Sequence, residues 1–137
     1  MTTRSSGFTL IELLVVVAIL GILSAVGTIA YTGYLSMAKR NASENLMQQI
    51  SLAQSEYYAL TGTYLITGDA SSCSATDASD DEIEEDLFDG DDIIPDGLGF
   101  NICTFGSGAT FTVVADDGAD CQLMLRRNSS LDETQCQ

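Results

Sequence analysis

Gly7-Phe8-Thr9-Leu10-Ile11-Glu12 runs directly into an apolar segment that carries no charge from Leu13 to Ala38. Those 26 positions exceed the roughly 20 that a helix needs to cross a bilayer. One carboxylate, Glu12, stands at the mouth of the run. A charge at that depth is costly in lipid, which makes it a functional candidate in need of a partner.

Length and composition narrow the rest. At 137 residues the chain has room for one membrane segment and one small domain. Twenty acids face five bases, for a formal charge of −15. A phosphate binder needs clustered Lys and Arg, and only Lys39-Arg40 and Arg126-Arg127 are adjacent, so no direct nucleic-acid ligand is expected. The acidity reads as solubility outside the membrane. His and Trp are absent, which removes the commonest general base. No nucleophile–base pair and no phosphate-binding loop is visible, so neither an enzyme nor a cofactor is expected. Cys73, Cys103, Cys121 and Cys136 follow the apolar run. An even number in an exported domain reads as a disulfide framework with three possible connectivities.

Met1 to Gly7 holds one base, Arg4, and small polar residues. A secretory signal would place its small-residue cleavage site after a short apolar core. Here the core is too long and Gly7 precedes it. The order Gly7, Phe8, Thr9, Leu10, Ile11, Glu12 closely resembles the type IV prepilin family, well over roughly the first 60 residues and beyond them in architecture. The resemblance implies a leader of residues 1–7, cut between Gly7 and Phe8 by a membrane peptidase that also methylates the new amine. Loss of Arg4 would take the formal charge to −16. It also implies that the chain starts inside the inner membrane and ends in an extracellular filament. The flanking bases alone leave that orientation open, since Arg4 and Lys39-Arg40 argue opposite ways. In the family, the residue at Glu12 pairs with the terminal amine of a neighbouring subunit during polymerisation.

One helix is expected from Phe8 to Leu60, in two halves. Residues 8–38 are apolar on all sides. From Lys39 the pattern changes, and residues 39–61 form an amphipathic half. Ala42, Leu46, Ile50, Ala53, Tyr57 and Leu60 recur at helical spacing as its inner stripe. Gly62 is the expected stop. Within the apolar half, Gly27 and Gly33 are weak helix residues. Many pilins have a proline near here that loosens the helix on assembly. This chain has Ile29 in that place and its sole proline at Pro95, which leaves Gly27 and Gly33 as the loosening candidates.

Residues 62–99 read as an acidic loop region. Asp69 to Asp96 holds twelve acids and no base. Asp86, Asp89, Asp91, Asp92 and Asp96 offer oxygen ligands that suit calcium, but their spacing is not that of an EF-hand. No metal is expected, and these five are kept as the weaker calcium set. Residues 100–137 read as three antiparallel strands (Phe100–Phe105, Thr110–Ala115, Cys121–Arg127) and a closing C-terminal loop. The sequons at Asn41 and Asn128 decide nothing.

The fold expected is α+β and pilin-like: one long N-terminal helix packed on a small antiparallel sheet. For the cysteines, the C-terminal loop common in pilins and the nearness of Cys136 to the terminus favour Cys121–Cys136. Cys73–Cys103 would then pin the acidic region, with the other connectivities left open. By resemblance the chain is a structural subunit of a type IV pilus, most readily the main one, serving adhesion, motility or DNA uptake. Its partners would be identical copies in a helical filament, the prepilin peptidase and the inner-membrane assembly machinery. The alternatives are a type II secretion pseudopilin, which often carries calcium and lacks the C-terminal disulfide, and a minor pilin.

Overall fold

The computed structural model describes residues 7–134 and 136. The elements are α1 (Leu10–Thr61), α2 (Asp77–Phe88), β1 (Asn101–Ser107), β2 (Thr110–Asp116), β3 (Gln122–Arg126) and β4 (Leu131–Thr134). This is the α+β arrangement of one long N-terminal helix and a small antiparallel sheet. The chain divides into two compact units, Met1–Ala38 and Lys39–Gln137.

In the first unit, α1 runs without interruption through Gly21, Gly27 and Gly33. Three of its hydroxyl side chains bond back to the helix. Ser24 donates to the Leu20 carbonyl (2.7 Å), Thr28 to Ala25 (3.1 Å) and Thr32 to Ile29 (3.0 Å). Such back-bonding removes these three donors from an environment that offers no water.

In the second unit, α1 buries Ser43, Leu46, Met47, Ile50 and Gln54. The stripe is therefore rotated from the one expected. Ala42 is exposed, and Leu60 is 82% exposed. Ser43 and Gln54 take inner places because each has a partner. Ser43 donates to the Lys39 carbonyl (3.0 Å). The Gln54 amide bonds both ways with Leu65: its nitrogen donates to the carbonyl (2.8 Å), and its oxygen accepts from the N–H (2.9 Å). A buried amide satisfied on both sides is tolerated, and here it ties the chain after α1 back onto the helix. Gly62 ends α1 with φ of 82°, and its N–H reaches the Tyr58 carbonyl (2.8 Å).

The sheet is an antiparallel meander in the order β1-β2-β3-β4. Cys103 faces Val114 and Val113 faces Leu125 across it. Ile102, Cys103 and Thr104 are all buried, as are Val113, Val114 and Ala115. Consecutive burial means that both faces of these strands are covered. One core unites Leu46, Met47 and Ile50 with Ile102, Phe111, Val113 and Leu123.

Two differences from expectation stand out. A fourth strand, Leu131–Thr134, is fully exposed and pairs only with β3. The acidic region is also not all loop, since Asp77–Phe88 is helical. Thr76 caps α2, and Ser79 completes a capping box by accepting the Thr76 N–H (2.9 Å). Ile83 is buried, with Leu87 and Phe88 half-buried, so four-residue spacing underlies the acids. Four side chains of α2 hold it in place, among them Asp77, which accepts the Asn101 side-chain N–H (2.8 Å). Ser79 donates to the Ile102 carbonyl (2.7 Å), and Asp80 accepts the Ile102 N–H (2.6 Å). Glu84 accepts the N–H groups of Ile93 (2.8 Å) and Ile94 (2.6 Å). The acids that look like a solvated run include the residues that dock the helix.

Burial of Asp80 pushes its carboxyl up to about 6, and the nearby Asp77, Glu84 and Asp81 push in the same direction, against its bond from Ile102. The folded state thus holds this proton more tightly than the unfolded chain. Stability should rise as pH falls from above 6 toward 4. Melting at pH 7 and pH 5 should show the higher Tm at pH 5, and Asp80→Asn should shrink the gap. A higher Tm at pH 7 would contradict this. Separately, Gln54→Leu leaves the buried Leu65 N–H without a partner and should cost about 2 kcal/mol in denaturant unfolding. An unchanged unfolding midpoint would contradict the clamp.

Candidate functional site

The candidate site is the N-terminal segment, where a carboxylate meets an apolar helix. Of the expected leader, residues 1–6 lie outside the described residues, so only Gly7 of the expected cleavage pair has described surroundings on the leader side. Phe8 is 79% exposed and precedes the helix. Among the described residues nothing crowds Gly7: a Cβ built there meets none of their atoms within 4 Å.

Thr9 and Glu12 form a reciprocal pair. The Thr9 hydroxyl accepts the Glu12 N–H (3.3 Å). Glu12 Oε2 accepts both the Thr9 N–H (3.1 Å) and the Thr9 hydroxyl (2.7 Å). This is the Thr-x-x-Glu capping box, and it satisfies donors that the first turn cannot satisfy internally. The spacing is a signal in the sequence that the reading of Glu12 as a membrane-edge charge does not use. The second oxygen, Oε1, has no partner among the described residues. Glu12 therefore has a fixed position with one acceptor free, at the positive end of the α1 dipole. Such a group can bind a cation from outside the chain. Among the described residues the only hydrogen-bond partner of its carboxylate is Thr9.

From Gly7 to Met37 every residue is exposed. The helix is long and apolar enough to cross a membrane. Gly27 and Gly33 lie within it, and both have open space around them.

In the second unit the cysteines are joined as Cys73–Cys103 and Cys121–Cys136. The first ties the segment before α2 to β1 across 30 residues, and the second closes β4 onto the start of β3 across 15. The sites of the weaker calcium set are scattered. Asp86, Asp89, Asp91, Asp92 and Asp96 are all exposed, and no three His, Cys, Asp or Glu converge to hold a metal among the described residues.

Residues 2–28 match the family described as the prokaryotic N-terminal methylation motif. Among curated proteins, the chain is 40% identical over 70 residues to a fimbrial protein, EcpC, of Eikenella corrodens, covering 51% of this chain and 46% of that one. It is 40% identical over 86 residues to a fimbrial protein of Neisseria meningitidis serogroup B, covering 61% and 47%. It is 42% identical over 64 residues to a type IV major pilin protein, PilE1, of Neisseria gonorrhoeae, covering 47% and 39%. The chain thus spans less than half the length of these relatives. No solved structure matches it at a significant level.

Removing the Thr9 hydroxyl tests the capping box. Thr9→Ala should weaken the first turn of α1 by about 1 kcal/mol, so that the Glu12 amide exchanges several-fold faster in detergent micelles. Equal exchange in the two proteins would show that the pair does not hold the helix start.

Proposed function

We propose that this chain, which carries the prokaryotic N-terminal methylation motif at residues 2–28, is a structural subunit of a type IV pilus. The observation that carries the reading is the state of α1 up to Met37: uniformly exposed, almost wholly apolar, and interrupted by one positioned carboxylate. Such a surface needs lipid before assembly and other helices after it. The names borne by the relatives agree with this use.

In this reading the prepilin peptidase cuts between Gly7 and Phe8 and methylates the new amine, which stays cationic. The precursor waits in the inner membrane with residues 39–137 outside, and the assembly machinery moves it into an extracellular filament of identical copies. Glu12 attracts the Phe8 amine of a neighbour. In a medium of low dielectric that attraction is strong, and an unpaired Glu12 is penalised. The effect sets the axial register of incoming subunits and is not catalysis. Where α1 must loosen in the fibre, Gly27 and Gly33 are the sites proposed. The neighbouring Thr28 and Thr32, which bond back to carbonyls of the preceding turn, favour a bend there as well.

The test is Glu12→Leu in producing cells. The variant should insert and be processed at Gly7, yet yield at least about tenfold fewer filaments, the scale of one lost buried charge contact. Normal filament yield would refute the role of Glu12. A leader left on the wild-type chain would refute the wider reading.

A further inference from the structure

The four cations of residues 39–137 are unequally committed. Among the described residues, Arg40 pairs with Glu44 (3.3 Å) and with Glu133, and Arg126 pairs with Asp132 (2.9 Å). Lys39 forms no ion pair there, and neither does Arg127. The Arg127 Nη1 donates to the Ala109 carbonyl (3.1 Å), and its guanidinium lies over the Tyr64 ring, 5.7 Å from the centroid. Tyr64 stacks on Tyr58 at 4.5 Å and leans on Phe111 at 4.7 Å. Beside this ladder is a hollow of about 480 Å³ lined by Thr110, Phe111, Thr112, Arg126, Arg127 and Asn128. A planar cation held on an aromatic floor loses little freedom when it binds, and Arg with Tyr is the chemistry of strong interface anchors.

The opposite charge is displayed elsewhere on the same unit. Asp81, Glu82, Glu85 and Asp86 of α2 are exposed, and none has a cationic partner among the described residues. The helix lies along β1, whereas Arg127 follows β3, with β2 between them. Residues 39–137 carry four bases against nineteen acids. Copies crowded into a fibre would repel one another unless their few bases met acids of their neighbours.

We infer that the Arg127 hollow receives the acidic face of α2 from a second copy of this chain. The two patches differ, so the contact is head-to-tail and propagates instead of closing a dimer. The carboxylates of Glu82 and Glu85 suit the guanidinium fork, which binds such groups in a bidentate manner. The inference rests on the filament reading and adds to it a contact outside α1.

Charge reversal in cells that make the full chain is the test. Arg127→Glu should reduce sheared filament yield about tenfold, the scale of a hot-spot charge, while chain level and processing stay normal. Arg127→Gln should fall less but in the same direction. A second reversal, at Asp81, Glu82, Glu85 or Asp86 in turn, should return the Arg127→Glu yield to near wild type in at least one case, which misfolding cannot explain. Wild-type filaments with unaltered Arg127→Glu yield would overturn this contact alone. So would a loss that no α2 reversal rescues, which would point to another occupant of the hollow. Absence of wild-type filaments would overturn the filament reading along with it.

Discussion

Eighteen large apolar side chains between Phe8 and Met37 touch little but their own helix. At roughly 1.5–3 kcal/mol for each such side chain fully buried, leaving them in water would cost more than the whole stability of a small domain. Everything else in the molecule is arranged around that debt. Under the proposed function, lipid or other helices surround this stretch, and Glu12, its single carboxylate, has to find a cation. Glu12 is held by Thr9 with one oxygen left over, and in the proposed filament that oxygen is the one available to a neighbour's amine.

The second unit answers a different constraint. Its core is small, and polar clamps and two disulfides supplement it. Gln54 ties Leu65 to α1, Ser79 and Asp80 tie α2 to Ile102, and Glu84 gathers Ile93 and Ile94. Each disulfide of this kind contributes about 2–4 kcal/mol. Cys73–Cys103 anchors the acidic segment to a buried strand, and Cys121–Cys136 secures an edge strand that buries none of its own residues. This lets the unit carry a dense negative surface without a large interior.

The long helix, its stop at Gly62 and three of the strands were legible in the sequence because their signals are strong: an unbroken apolar run, a glycine, and alternation between turns. The start of α1 was readable too, since Thr9-Leu10-Ile11-Glu12 is a capping box as well as a charge at a membrane edge. Other features were hidden by physics that hydropathy ignores. Gln54 looks like a surface residue and is buried because its amide meets both backbone groups of Leu65. α2 looks like a solvated loop because seven of its twelve residues are acidic, while the buried Ile83 and the Thr76 cap carry the helix. β4 lacks inward alternation, since its place comes from pairing with β3 and not from burial. Arg127 could not be singled out from Arg126 until their neighbours were known.

Taken together, these parts support the proposed passage of α1 from lipid into the core of a polymer. The most direct measurement is electron microscopy of material sheared from producing cells, with mass spectrometry of its dominant subunit. The expected result is thin filaments whose main component begins at N-methylated Phe8 and carries four oxidised cysteines. Filaments that lack this chain in bulk, or a chain that still bears residues 1–7, would contradict it.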